Sequence, residues 1–208
     1  MTRMRTLMIR RNFMLVSVSA FIAGGFDAVA MAASRSGSSP AEFVAALGNQ
    51  AFGVIRGNYA VDQKLQYFHV MLQQDFDIPG AAPFVLGPYW RSASAAERAE
   101  FTRLLEDFIV ATFGRRLADY GGQGLQVTGV RNAGSSLIVT SDILRPGAGP
   151  IKMDWVLVAG AGFYRVGDIV VDGVSMRGSL RSDIAALLSR SGSIPGLLSA
   201  MRQTAAQP

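Results

Sequence analysis

Side chains able to do chemistry are few in this chain of 208 residues. His69 is the sole histidine, so a histidine cluster for zinc is excluded and a catalytic histidine would have no second one to assist it. With no cysteine present, disulfides and thiolate metal sites are unavailable, and stability must come from packing. Gly173-Val174-Ser175-Met176-Arg177 begins like a nucleophile elbow with Ser175 in the reactive place. It lacks the final glycine, and its neighbours predict a strand end rather than the strand-to-helix turn such an elbow needs. Glu106 and Asp107 are adjacent on a helix and project about 100° apart, poor geometry for two carboxylates sharing one reaction centre. They read as a solvated edge. Gly147-Ala148-Gly149 and Gly160-Ala161-Gly162 lack the rest of a phosphate-binding fingerprint, lie between strands, and read as turns. No catalytic residue, metal site or cofactor is assigned. What remains is an apolar inventory rich in rings: Phe84, Tyr89, Trp90, Phe101, Phe108, Phe113, Trp155, Phe163 and Tyr164.

The first 32 residues read as a cleavable targeting segment. Arg3, Arg5, Arg10 and Arg11 precede the uncharged stretch Asn12 to Phe26, and small residues at Ala28 and Ala30, or Ala30 and Ala32, offer cleavage positions. The stretch contains Gly24 and Gly25 and falls short of the roughly 20 apolar residues of a spanning helix. Arg10-Arg11-Asn12-Phe13-Met14 also fits a twin-arginine signal, although plain secretory signals carry adjacent arginines too. Export changes the charge balance: the chain holds 20 basic and 15 acidic residues, and the segment takes four arginines and Asp27 with it. Twenty less four against fifteen less one leaves a net charge of +2. The basic residues that remain are dispersed, which gives no licence for nucleic acid as a partner. Residues 33–208 suffice for one core and are expected to form a single domain.

The elements that must position the rings follow from periodicity. Phe43, Leu47, Ala51, Val54 and Ile55 recur at three and four residues and predict a helix from Pro40 to about Arg56. Leu65, Phe68 and Leu72 predict a second from about Asp62 to Gln74; Asp75 to Pro79 breaks it, and Ala81 to Leu86 follows as a short helix ended by Gly87-Pro88. Ser94-Ala95-Ala96-Glu97 is a capping box, in which serine oxygen and glutamate carboxylate each satisfy an orphan amide. The long helix after it carries Phe101, Leu104, Leu105, Phe108, Ile109, Phe113 and Leu117 to about Tyr120, where Gly121-Gly122 stops it. The period then falls to two, with strands expected at about 125–130, 136–144, 151–158 and 163–171, and two terminal helices at about 180–189 and 195–203. The predicted class is α+β, helices packed on a curved antiparallel sheet of about four strands.

Several separated motifs carry a family resemblance. Phe84-Val85-Leu86-Gly87-Pro88-Tyr89-Trp90-Arg91, then Ser94-Ala95-Ala96-Glu97-Arg98 with Phe101, Phe113-Gly114-Arg115-Arg116-Leu117 and Tyr120 occur in order. Trp155, Tyr164-Arg165-Val166-Gly167-Asp168-Ile169, Val171-Asp172-Gly173-Val174-Ser175, Ser182-Asp183 and Gly196-Leu197-Leu198 complete the set. Together they resemble the MlaC family of periplasmic phospholipid carriers, from about Pro40 to Arg202; a hopanoid-associated relative shares the patterns. Departures are Pro88 before Tyr89, and Gly114 interrupting the long helix.

The resemblance implies a periplasmic, non-enzymatic carrier holding phospholipid acyl chains in a hydrophobic pocket between sheet and helices. It also implies exchange with an inner-membrane ABC transporter complex and an outer-membrane lipoprotein complex. Lipid is then cargo and no cofactor is expected. Candidate pocket residues are Phe84, Tyr89, Phe101, Leu105, Phe108, Val139, Ile143, Trp155, Leu157, Tyr164 and Val166, with Arg165 and Asp168 as structural or docking residues. At roughly 0.8 kcal/mol per buried methylene, two acyl chains outweigh any head-group hydrogen bond, so affinity would come from the pocket. A hopanoid cargo, a protein-interaction adaptor whose pocket is only a core, and a hydrolase using Ser175 are the competing expectations.

Overall fold

The computed structural model describes residues 39–118, 124–134, 136–160 and 162–206, so the expected targeting segment and the expected Gly121-Gly122 stop lie outside the described residues. Helix α1 (Pro40–Arg56) opens on a capping box: Ser39 Oγ accepts from the Glu42 amide while the Glu42 carboxylate accepts from the Ser39 amide at 2.8 Å. Helix α2 (Val61–Asp75) follows, and then α3 (Ile78–Leu86), where Asp77 accepts from the Gly80 amide and Pro79 occupies the first turn. The break expected at Asp75 to Pro79 is a docking point. Phe76 forms an isolated parallel bridge to Val166, the Asp77 amide donates to the Val166 carbonyl at 2.9 Å, and Arg165 donates to the Phe76 carbonyl. The α2–α3 junction is thereby tied to the sheet.

A short turn, α4 (Tyr89–Ser92), precedes α5 (Ala95–Ile109), which starts at the predicted Ser94–Glu97 capping box. The helix does not continue regularly. Val110–Gly114 forms a π-helical turn before α6 (Arg115–Ala118). A Cβ on Gly114 would lie 2.6 Å from Leu65 Cδ2, so the missing side chain lets this turn approach α2. Val110 and Phe113 of this turn still pack against the cluster that holds Phe101, Leu104 and Phe108.

The sheet has five antiparallel strands in sequence order: β1 (Gly124–Ala133), β2 (Ser136–Leu144), β3 (Ile151–Ala159), β4 (Tyr164–Val171) and β5 (Val174–Ser175). The first four match expectation to within a few residues. A fifth strand of two residues extends the sheet of about four that was expected. Asp172 and Gly173, at φ 46° and 84°, make a two-residue turn that pairs Val171 with Val174. That Asp-Gly pair is the sequence signal for such a hairpin. Val139, Ser141 and Ile143 on β2 face inward with Trp155 and Leu157 on β3, in a register that sets Val139 against Trp155 and Leu137 against Leu157. Helices α7 (Met176–Ser191) and α8 (Ile194–Ala205) close the chain.

Burial divides into two clusters. One is helical, built from α3, α5, α7 and α8 around Phe101, Leu104, Ile184, Leu197 and Met201. The other sets α1 and α2 on the sheet, around Phe43, Leu47, Phe68, Val139, Leu157 and Val166. No helix among the described residues is long and apolar enough to cross a membrane.

Candidate functional site

A cavity of about 440 Å³, partly open to solvent, lies along the seam between the two clusters. Helix α1 contributes Leu47, Ala51, Phe52 and Ile55; α2 gives Phe68, Met71 and Leu72; α3 gives Ile78, Ala81 and Val85. Leu105 and Ile109 at the end of α5 join Val110, Phe113 and Gly114 of the π turn. The floor is the inner face of the sheet, with Ile143, Ile151, Met153, Trp155, Val166 and Ile169. Trp155 can line an apolar space because its indole N–H is satisfied: Nε1 donates to Ser141 Oγ at 2.9 Å, and that hydroxyl donates to the Met153 carbonyl. The volume is that of a typical small-molecule pocket. At about 30 Å³ per water- or methylene-sized group, it has room for roughly fifteen of them.

Of the candidate pocket residues, Leu105, Ile143, Trp155 and Val166 line this space. The others do not. Phe101, Phe108, Val139 and Leu157 are buried inside the packed clusters, because the facing elements there are in direct contact and leave no gap. Tyr164 packs against the sheet-side cluster, its ring 6.1 Å from Phe43. Phe84 and Tyr89 are 40 % and 50 % exposed; the face of α3 toward the cavity is taken by Ile78, Ala81 and Val85, so Phe84 projects into a separate surface groove beside Arg181. The residues that sequence reasoning passes over are spread over α1, α2, α3, the π turn, the sheet and the start of α7. Their apolar stripes are legible, but a stripe looks the same whether it meets a neighbour or a void.

Among the described residues, the charged groups at the lining are Asp77, Asp168 and Arg177. Asp77 serves as the cap of α3. Asp168 is a structural hub, accepting from the Ile169 and Arg177 amides at 2.8 and 2.9 Å and from the Ser175 hydroxyl at 2.6 Å. Ser175 Oγ in turn accepts from the Gly178 amide at 2.9 Å. Contrary to expectation, Ser175 does sit at a strand-to-helix junction, as N-cap of α7. Its oxygen serves that cap, and no imidazole adjoins it among its hydrogen-bond partners. His69 lies elsewhere, on the α2–α5 surface, with Nε2 3.6 Å from Glu106 and 3.5 Å from Asp107. The two carboxylates read as diverging thus reach one imidazole from neighbouring positions. Among the described residues no group of acidic, histidine or cysteine side chains is arranged to hold a metal ion.

Fold and cavity together define the class: an α+β domain with an apolar chamber between a helical layer and the inner face of an antiparallel sheet. Comparisons with known proteins make it particular. The model of the MlaC protein family matches residues 48–203, and the chain belongs to that family. It is 25 % identical over 181 residues to the intermembrane phospholipid transport system binding protein MlaC of Haemophilus influenzae, covering 82 % of this chain and 84 % of that protein. The fold is similar to that of a phospholipid-binding protein from Ralstonia solanacearum solved in complex with a phospholipid. There the TM-score is 0.68 at 17 % identity, over 82 % of this chain and 98 % of the other.

Proposed function

We propose that this protein is an exported, non-enzymatic carrier that holds phospholipid acyl chains in the seam cavity and shuttles lipid through the periplasm. On this reading it passes lipid between outer-membrane components and an inner-membrane ABC transporter. The observation that carries it is the cavity itself: about 440 Å³ with three charged residues at its lining. Because the space is partly open, leaving it unfilled keeps apolar lining wet and forgoes burial worth about 25 cal/mol per Å² of apolar surface. A chain that keeps such a space does so for an apolar occupant. Family membership and the phospholipid-binding roles of the relatives support a phospholipid in that role. Carriage needs no acid, base or nucleophile, and the Ser175 oxygen already has a structural use.

The test is lipid extraction and native mass spectrometry of protein purified from the periplasm, where co-purifying phospholipid is expected. Ala51→Trp, which fills the chamber from α1, should reduce lipid occupancy severalfold while the protein stays folded. Protein that emerges lipid-free and also takes up neither phospholipid nor a hopanoid from vesicles would falsify the proposal.

A further inference from the structure

Two arginines of α7 stand where the cavity and the neighbouring surface groove adjoin: Arg177 lines the cavity and Arg181 lines the groove. The Arg177 guanidinium carbon stands 4.5 Å from the Phe84 ring centroid. Arg181, one helical turn along α7, stands 5.0 Å from the same centroid and donates to the Phe84 carbonyl at 3.1 Å. The two guanidinium carbons are therefore no more than 9.5 Å apart, the sum of those distances. Neither is ion-paired with a carboxylate among the described residues. Arg177 Nε is buried and has no hydrogen-bond partner. Like charges four residues apart on a helix repel, and a buried unsatisfied donor costs free energy, so this arrangement is unfavourable until an anion joins it. The nearby carboxylate of Asp168 does not fill that role: its oxygens accept from two backbone amides and the Ser175 hydroxyl.

We infer that Arg177 and Arg181, both held against the ring of Phe84, form a clamp for the phosphate of a lipid whose chains occupy the cavity. The inference rests on the carrier reading and adds a head-group site to it. Guanidinium groups suit a phosphodiester because their planar forks donate two parallel bonds to its oxygens. Phe84, exposed and outside the cavity lining, then has a use: its ring steadies both cations by cation–π attraction and places them where a head group would emerge. The clamp predicts discrimination by phosphate and not by chain, so a phosphate-free lipid such as a diacylglycerol or a hopanoid would gain nothing from it.

The experiment compares phosphatidylglycerol with the diacylglycerol of identical chains, each delivered from cyclodextrin to the processed full-length protein. The readout is the ratio of the two affinities on one preparation, so partial unfolding of a variant cancels. The wild type should favour the phospholipid by about tenfold or more, the scale of one charge-assisted contact, and Arg177→Gln with Arg181→Gln should abolish that preference while diacylglycerol binding holds. Arg177→Lys, which keeps charge and stem but not the fork, should fall between. No preference in the wild type, or an unchanged preference in the double variant, overturns the clamp and leaves the carrier standing. Uptake of neither lipid by the wild type overturns the carrier, and the clamp with it. Inorganic phosphate alone binding the lipid-free protein at submillimolar concentration would make the free anion the ligand and overturn the head-group assignment.

Discussion

The helical cluster and the sheet-side cluster are built from the same kinds of residue, yet one is filled and the other stops short of its neighbour. Around Phe101, α5 meets α8 and α3 meets α7, and side chains such as Ile184, Leu197 and Met201 are fully buried. On the sheet side α1 packs tightly against β1, with a Cβ on Gly48 only 3.1 Å from Leu125 Cβ. Beyond that contact Ala51, Phe52 and Ile55 look across open space toward α3 and the π turn. The difference teaches that the cavity is a matter of spacing. The α1 and α2 faces are held off the helical cluster by two anchors, the Phe76–Val166 bridge and the α1–β1 contact.

Four perturbations would break or sharpen that contrast. Phe101→Ala, inside the filled cluster, should cost about 3–5 kcal/mol in urea unfolding, while lipid per folded molecule stays as in the wild type. A parallel loss of lipid by the folded fraction would show that the filled cluster also shapes the chamber. Trp155→Phe keeps most of the ring volume at the floor but leaves the buried Ser141 oxygen without its indole donor, and should cost about 1–3 kcal/mol. Vesicle-uptake measurements on it should show only a modest change in occupancy.

Ser175→Ala removes the α7 cap and the hydroxyl bonded to Asp168, for about 1 kcal/mol in thermal unfolding, with lipid transfer unchanged. Transfer that collapses while the fold survives would reopen a chemical role for that oxygen. The smallest effect concerns the two capping-box glutamates. The Ser94 backbone amide, and secondarily its hydroxyl, hold Glu97 below the ordinary carboxylate range, and Ser39 does the same for Glu42. Because the folded values are depressed, this stabilisation is present above the unfolded pKa and is lost as pH falls through the folded ones. Both groups are exposed, so a slight fall in melting temperature toward about pH 3, equal for lipid-free and loaded protein, is expected. A larger fall in the loaded form would place an acid-sensitive contact at the cavity.

Much of the fold is legible in the residues. The Ser94–Glu97 box marks the start of α5 to the residue, since a capping box is settled between side chains and amides three positions apart. The hairpin turns at Gly134 and Gly147 fall where expected because both need positive φ. The short β5 escapes a periodicity reading although Asp172-Gly173 announces it, because two residues are too few to show alternation. The π turn shows in the sequence only as an interruption at Gly114, whose missing side chain leaves room for Leu65, 49 positions earlier. Four of eleven candidate pocket residues line the cavity, and the misses are instructive: Val139 and Leu157 share the inward face with Trp155 but lie where α1 already covers the sheet.

Residue order alone settles the class, the main elements, the apolar face of each and the poverty of catalytic groups, because caps, turns and periods are decided within a few residues. It does not settle where two apolar faces touch and where they part. A cavity is an absence of contact between segments far apart in the chain, and no local period records an absence. Only the tertiary arrangement, with α2 and α3 joined to β4 at Phe76 and the end of α5 widened into a π turn, decides that a gap remains and that Arg177 stands at its edge.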